Sequence, residues 1–218
     1  MNCKRQIILI TLLTVMGASL GGCTIFGWMY NVMVPPQKVP AAYKLDKDTK
    51  VLVLVDDLGK PVRYEQIKRL LTEKVNRLLL ENKAAKRVVS YEDVFRLAAS
   101  KKDFNRLGIA NVARELGAGQ IVYVYLDEFS LKDDPNISLW HGKLGVAVRV
   151  VDLEGQTKWP IDRPSGHRPE TAETPQVDNA STTHGATIAA ELADEMALKI
   201  ARLFYKHSIA RGHMPGED

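Results

Sequence analysis

The sequence predicts an α/β (α+β) domain in which a single mixed sheet of about four to five strands packs against long amphipathic helices. The first observation is a continuous apolar run over 50–56 (KVLVLVD), which is typical of a strand buried on both faces. The second is the recurrence of Ile, Leu and Val between 62 and 82 at steps of three and four residues, which predicts a long amphipathic helix. The third is a pair of segments rich in β-branched residues, 120–129 and 143–152, which predict two long strands.

Shorter elements are predicted between and after these segments. Residues 87–90 predict a brief strand, and Ser90 is placed to cap a helix that continues to residue 100. A further helix is expected over 105–116, with Gly117 as its stop. The last helix is expected over 183–206, so helices and strands alternate along most of the chain.

The strand at 143–152 predicts which face of the sheet is the core, because its residues alternate in character. Residues 153–155 are expected to turn the chain, and 156–159 to return as a hairpin partner. The polar, proline-containing segment 160–182 is predicted to be a loop. The residues expected to face the long helix and the last helix are Leu144, Val146, Val148 and Val150.

The N-terminus has the pattern of a secretory signal peptide. Lys4 and Arg5 precede an apolar core at 7–15, and small residues follow. A membrane-spanning helix needs roughly 20 mostly apolar residues, so this segment is too short to be one. Its end, Leu20-Gly21-Gly22-Cys23, resembles the lipobox of bacterial lipoproteins, which implies cleavage after residue 22 and acylation of Cys23. By the same resemblance, Thr24 in the next position implies the outer membrane, with the domain facing the periplasm.

Residues 23–49 are predicted to form a lipid anchor and a proline-containing tether. The apolar and aromatic stretch 25–34 either lies against the membrane beside the lipid or packs on the domain, and the sequence leaves both alternatives open. The prolines that follow favour an extended, stiff spacer. We therefore expect one folded domain at 50–207 and a flexible tail at 208–218.

The cysteine count and the net charge limit the possible functions. Cys3 lies in the segment that would be removed, and Cys23 would carry lipid, so no disulfide is expected in the domain. Removal of 1–22 also removes Lys4 and Arg5, which lowers the formal net charge from +4 to +2. This small excess of positive charge gives no support to nucleic-acid binding.

Three segments, 51–57 (VLVLVDD), 113–126 (ARELGAGQIVYVYL) and 146–159 (VAVRVVDLEGQTKW), resemble a group of bacterial envelope proteins. This is the group of LpoB, CsgG and the TolB amino-terminal domain, which commonly shows Leu-Gly-Ala before a strand and then an Arg-x-Val-Asp-x-x-x-Gly-x-x-x-Trp-like hairpin. The resemblance spans about 50–206 and implies a fold like that of the TolB amino-terminal domain and an envelope location. A curli-type pore is not expected, because the chain lacks long alternating membrane hairpins. The motif positions here are Leu116-Gly117-Ala118, Arg149, Val151, Asp152, Gly155 and Trp159.

No catalytic residue, metal site or cofactor site is predicted. Asp56 and Asp57 follow a strand, where carboxylates can serve in acid–base chemistry, but their place at the start of a turn favours solvated turn acids. His141, His167 and His184 occur singly, without the short spacing that is typical of a zinc site. No serine lies in a G-x-S-x-G motif.

We therefore expect a non-catalytic, lipid-anchored envelope module that docks another envelope protein or a glycan. An envelope enzyme, a hydrolase with a site built from scattered residues, is the alternative. The sequence leaves the partner and the oligomeric state open. The candidate binding residues are aromatic residues near strand ends and two residues of the predicted loop, namely Trp140, Trp159, His167 and Arg168.

Overall fold

The computed structural model describes residues 37–57, 62, 64–132, 139–177 and 184–209. The chain divides into two compact units, and the larger one comprises Pro40–His207. The helices are α1 (Gln66–Glu81), α2 (Tyr91–Ser100), α3 (Ile109–Glu115) and α4 (His184–Arg202), with a 3₁₀ turn at Phe104–Arg106. The strands are β1 (Gln37–Val39), β2 (Val51–Asp56), β3 (Gln120–Ser130), β4 (Lys143–Val151), β5 (Thr157–Trp159), β6 (Ala172–Glu173) and β7 (His207–Ile209).

The larger unit is built on a five-stranded mixed sheet. Its strand order is β2-β3-β4-β5, and β6 also pairs with β4. β2 runs parallel to β3, whereas β4 is antiparallel to β3, β5 and β6. The predicted fold class, a mixed sheet packed against amphipathic helices, is confirmed.

One face of the sheet packs against α1 and α4 and forms the main core. The apolar stripe of α1 and the apolar face of α4 are buried there together with alternate residues of β2, β3 and β4. The predicted inward face of β4 is confirmed, because all four of its residues are almost completely inaccessible to solvent. These residues are Leu144, Val146, Val148 and Val150.

The opposite face is covered less completely, by α2, the 3₁₀ turn and α3. Val112 and Ala113 of α3 are buried against the residues of β2 and β3 that point to this side. No residue of α2 is fully buried, although the helix begins as predicted with the Ser90 hydroxyl accepting the backbone N–H of Asp93 at 3.1 Å. The helix therefore covers this face of the sheet without burying any of its own residues completely.

The hairpin after β4 forms as the sequence indicates. The Asp152 carboxylate accepts the backbone N–H groups of Glu154 and Gln156, at 3.0 and 2.7 Å, and Lys158 contacts it at 2.8 Å. Gly155 adopts a φ of 81°, which a residue with a side chain rarely adopts. Hydrogen bonding to Lys158 is the main cause that lowers the pKa of Asp152 from its usual range.

Three predicted elements differ in detail from the structure. The helix expected over 105–116 is divided into the 3₁₀ turn and α3, because Gly108 is extended at ψ 150° and begins α3 as its N-cap. The strand expected over 87–90 is reduced to one bridge, between Val88 and Val51. The segment 160–182, which was expected to be a loop, contains β6 and two isolated backbone bridges. It therefore pairs with β4 and with the residues just before β4 at separate points along its length.

The folded unit begins before residue 50, which corrects the predicted boundary between the tether and the domain. Leu45 is buried in the main core, and the backbone N–H of Tyr43 donates to the carbonyl of Leu203 at 3.0 Å. Gln120 accepts the Asp46 N–H at 3.1 Å. A proline-containing segment without periodicity is thus fixed by one buried leucine and backbone hydrogen bonds, and residues 40–49 belong to the domain.

The described residues of the smaller unit lie in β1 and β7, which pair in a two-stranded sheet. Ser208 and Ile209, which were expected in the tail, therefore lie in a strand. Cys23, the stretch 25–34 and the rest of the tail lie outside the described residues. Within the described ranges, no helix is both long and apolar enough to cross a membrane.

Candidate functional site

A cavity of about 650 Å³ lies at the carboxyl end of β2, on the side of the sheet covered by α2 and α3. Its walls come from the end of β2, the first turn of α1, one side of α2, the 3₁₀ turn and the start of α3. A cavity of this size is in the range of binding clefts in proteins. Most of the wall is apolar and includes Leu54, Val94, Phe95, Phe104, Leu107 and Val112.

This cavity forms because α2 packs only partly against the sheet. Val94 and Leu97 of α2 point toward the sheet but remain half-buried, and Phe95 is 56% exposed. The Phe95 ring stacks on Tyr91 one helical turn earlier, with ring centroids 6.5 Å apart. The residue spacing of a helix brings these two aromatic rings together at the mouth of the cavity.

The end of the cavity next to β2 is acidic. One carboxylate oxygen of Asp56 accepts the N–H of Asp57 at 2.8 Å, and the other accepts the hydroxyl of Tyr123 at 2.9 Å. Burial and the hydrogen bond to Asp56 raise the pKa of the Tyr123 hydroxyl, so it remains a donor at neutral pH. The guanidinium of Arg149 lies 5.1 Å from the centre of the Tyr123 ring, which is a cation–π contact.

Asp57 is fixed by an ion pair with α1. Its carboxylate lies 2.7 Å from the Lys68 ammonium and accepts the backbone N–H of Val62 at 2.8 Å. Burial opposes ionisation of Asp57, but the hydrogen bonds from Lys68 and Val62 outweigh it and lower its pKa. The pKa of Lys68 is raised, because Asp57 and Glu65 together overcome its burial.

The two aspartates are therefore partnered and only partly exposed, which differs from the solvated turn acids that the sequence favoured. The side chain of Asp57 is only 12% exposed. The described lining residues include no Ser, Thr, Cys or His, and their ionisable side chains are Asp56, Asp57, Glu65, Lys68 and Tyr91. The arrangement is suited to hold an apolar group beside a positive charge, because the wall is mainly apolar and the described charged residues that line it, Asp56, Asp57, Glu65 and Lys68, carry more negative than positive charge.

Trp159 and His167 are brought together by the structure, and Trp159 packs against the main core. Their ring centroids are 5.2 Å apart, and Trp159 also contacts Phe204 and Tyr43 at 6.4 and 6.5 Å. Both side chains are half-buried. Burial, followed by the nearby Arg163, lowers the pKa of His167, so this side chain is neutral at pH 7.

Trp140 and Arg168 lie in different surroundings from that pair. Trp140 precedes β4 and pairs with Val177, whereas Trp159 pairs with Val150 near the other end of the nine-residue strand. At about 3.4 Å per residue, the two tryptophans are separated by roughly 30 Å along the strand. Arg168 donates to Asp127 at 2.7 Å. The four residues thus do not form one surface, and a binding role for any of them remains a prediction.

The histidines do not assemble into a metal centre in the described part of the chain. There, no group of three or more His, Cys, Asp or Glu residues has the arrangement needed to hold a metal ion. His141 lies 3.8 Å from Glu173, and His184 is the first residue of α4.

The cavity was not found from the sequence, although one signal for it was present. The ten-residue helix α2 has enough apolar residues to form an inward face without Phe95. Phe95 is therefore an additional aromatic residue beside that face, and its burial is not needed for folding. An aromatic side chain in this position is a typical contact residue of a binding surface.

No protein-family model and no curated protein sequence matches the chain. The PelC dodecamer from Paraburkholderia phytofirmans is similar in structure, at 11% identity over 79% of this chain and 99% of that chain, with a TM-score of 0.40. A minor lipoprotein from Acinetobacter baumannii is similar at 11% identity over 70% and 89%, with a TM-score of 0.38. Lipoprotein GNA1162 from Neisseria meningitidis is similar at 12% identity over 70% and 97%, with a TM-score of 0.37. Two of these three are lipoproteins by name, and the relationship to the group of LpoB, CsgG and TolB remains a prediction.

Proposed function

We propose that the protein is a lipid-anchored module of the bacterial envelope that docks another envelope protein and carries out no chemistry itself. The signal-peptide pattern and the cysteine at its end support anchoring through Cys23. The residue after this cysteine supports the outer membrane as its location, with the domain in the periplasm. A protein partner is favoured over a glycan because the cavity wall is mainly aliphatic and aromatic.

The cavity at the end of β2 is the observation that carries this proposal. It combines an exposed aromatic residue, Phe95, with an apolar wall and with carboxylates that are held by Tyr123 and Lys68. Fixed carboxylates and a preformed apolar wall favour binding, because little ordering of side chains is needed when a partner arrives.

The proposal is tested by the size of the complex that the protein forms in the envelope. Wild-type protein extracted with a mild detergent should migrate in a native gradient as part of a larger assembly. Phe95→Glu should migrate as the free protein, because a buried charge on the apolar wall opposes docking. The matched control is Leu80→Glu on α1, which changes another exposed apolar residue (41% exposed) outside the cavity.

Two results would contradict the proposal. One is co-migration of Phe95→Glu with wild type while both variants melt at the wild-type temperature. The other is turnover of an envelope substrate by the purified protein, which would favour the hydrolase instead.

A further inference from the structure

We propose that the cavity receives a polypeptide segment that carries a Lys or Arg near a large apolar side chain, and that this segment pairs with the edge of β2 at Val55, which no described residue occupies. This inference rests on the proposed docking function and specifies the chemistry of the partner. Three features of the cavity lead to it: its charge, its apolar wall and the backbone groups of β2.

The charge of the cavity predicts a cationic group on the partner. Three carboxylates line it, those of Asp56, Asp57 and Glu65, and Lys68 is the one ammonium among the described lining residues. The Lys68 ammonium forms ion pairs with two of these carboxylates, at 2.7 Å to Asp57 and 3.2 Å to Glu65. Asp56 has the neutral Tyr123 hydroxyl as its side-chain partner. The described residues of the lining therefore carry a net charge of −2, which a Lys or Arg of the partner would complement.

The opposite wall predicts an apolar side chain next to that cation. Phe95 is exposed at the mouth, and Phe104, Leu107 and Val94 continue the apolar surface inward. The volume of about 650 Å³ is larger than one side chain fills, so the site has room for a basic and an aromatic side chain together. Because the acidic and apolar residues line one cavity of this volume, the two side chains have to be near each other in the partner's sequence.

The edge of β2 favours a polypeptide as the ligand. Val51 donates its N–H to Arg87 and accepts the N–H of Val89, at 3.0 and 2.8 Å, on the side of β2 that faces away from β3. Because backbone groups alternate along a strand, Val55 directs its N–H and C=O to the same side. Val55 lines the cavity, and no described residue is its backbone partner on that side. An extended segment can therefore add to this edge through main-chain hydrogen bonds.

Peptide binding to the purified full-length lipoprotein in detergent tests the inference. The probe is a fluorescein-labelled, end-blocked pentapeptide Val-Lys-Val-Phe-Val, and its dissociation constant is measured by anisotropy at low salt. Replacing Lys by Glu in the peptide should weaken binding at least tenfold, and replacing Phe by Ser should weaken it to a similar extent. A peptide with N-methylated alternate amides should also bind at least tenfold more weakly, since it cannot pair with a strand edge.

Protein variants locate the binding to the cavity. Glu65→Gln should weaken binding of the Lys peptide about threefold to tenfold. It should strengthen binding of the Glu peptide by no more than the same factor. The matched control is Glu73→Gln, which changes an exposed acid of α1, the helix that begins directly after Glu65; Glu73 pairs with Arg69, and its substitution should leave the dissociation constant unchanged. Phe95→Ala should weaken binding about tenfold, whereas Leu80→Ala should have no effect.

The inference is overturned if the Lys and Glu peptides bind equally well, if the N-methylated peptide binds as tightly as its parent, or if no peptide binds at millimolar concentration. These failures are distinct from failure of the proposed function. If no peptide discriminates but Phe95→Glu still releases the protein from its assembly in the gradient, docking stands and the partner chemistry is wrong. If Phe95→Glu also co-migrates with wild type, both are wrong.

Discussion

The substitution Val148→Asp tests the assignment of the main core most severely. Val148 lies in the centre of β4, is 0% exposed and is paired with Val124 of β3 on one side and the backbone of His167 on the other. Its side chain packs in the core formed with α1 and α4. The carboxylate of an aspartate in this position would be surrounded by apolar side chains, without solvent and without a cationic partner.

The expected loss of stability follows from two contributions. Removing the buried valine side chain costs about 1.5–3 kcal/mol. Keeping the buried carboxyl neutral at pH 7, about three pH units above its ordinary pKa, costs about 4 kcal/mol more at 1.36 kcal/mol per unit. The sum of roughly 5.5–7 kcal/mol is comparable to the entire stability of many domains, which is about 5–15 kcal/mol.

Urea denaturation followed by circular dichroism and tryptophan fluorescence measures this loss. Val148→Ala should cost only about 2–3 kcal/mol, and Ile161→Asp, at a position that is 85% exposed, should change the free energy of unfolding by less than about 0.5 kcal/mol. Burial raises the folded-state pKa of the new carboxyl, so the difference from wild type should shrink as the pH falls toward 4. A difference below about 2 kcal/mol at pH 7 would refute the inward orientation of Val148.

The remaining predictions concern the anchor, the cavity rim and the packing of the sheet. Cys23→Ala should abolish incorporation of a labelled fatty acid and leave an uncleaved precursor; equal labelling would refute lipidation. Lys68→Met should cost about 1–3 kcal/mol at pH 7 by removing the partner of Asp57. Because the folded-state pKa of Asp57 is lowered, this contribution exists above pH 4 and is lost as the pH falls through that pKa, so an equal cost at pH 7 and pH 3 would contradict it. Gly142→Ala should cost about 1–3 kcal/mol, since its Cβ would lie 2.5 Å from a methyl group of Ile188, whereas Gly108→Ala meets no atom within 4 Å; equal melting temperatures for the two variants would contradict this packing.

Elements determined by local pattern could be predicted from the sequence. The alternation of β4 defines its buried face because successive side chains of a strand point to opposite sides of the sheet. The turn from Asp152 to Gly155 could be predicted for a similar reason, since an aspartate that caps nearby N–H groups and a glycine with positive φ act over only a few residues.

Features that depend on how distant elements meet could not be predicted in this way. The cavity exists because no residue of α2 is fully buried against the sheet, and no periodicity within α2 specifies how closely the helix packs. Leu45 is buried although its segment has no pattern, because it fills a space that other elements leave open. Trp140 and Trp159 look similar in the sequence, but the register of β4 places them at opposite ends of a strand.

The measurement that tests docking through the cavity most directly is photo-crosslinking in living cells. A benzophenone-bearing amino acid replaces Phe95 at the mouth of the cavity, and in a separate strain it replaces Leu80 on α1. Irradiation should give a covalent adduct with another envelope protein at position 95 and none at position 80, and mass spectrometry should place the adduct on a segment of the partner. Absence of an adduct at position 95 in correctly localised protein, or equal adducts at both positions, would contradict docking through this cavity.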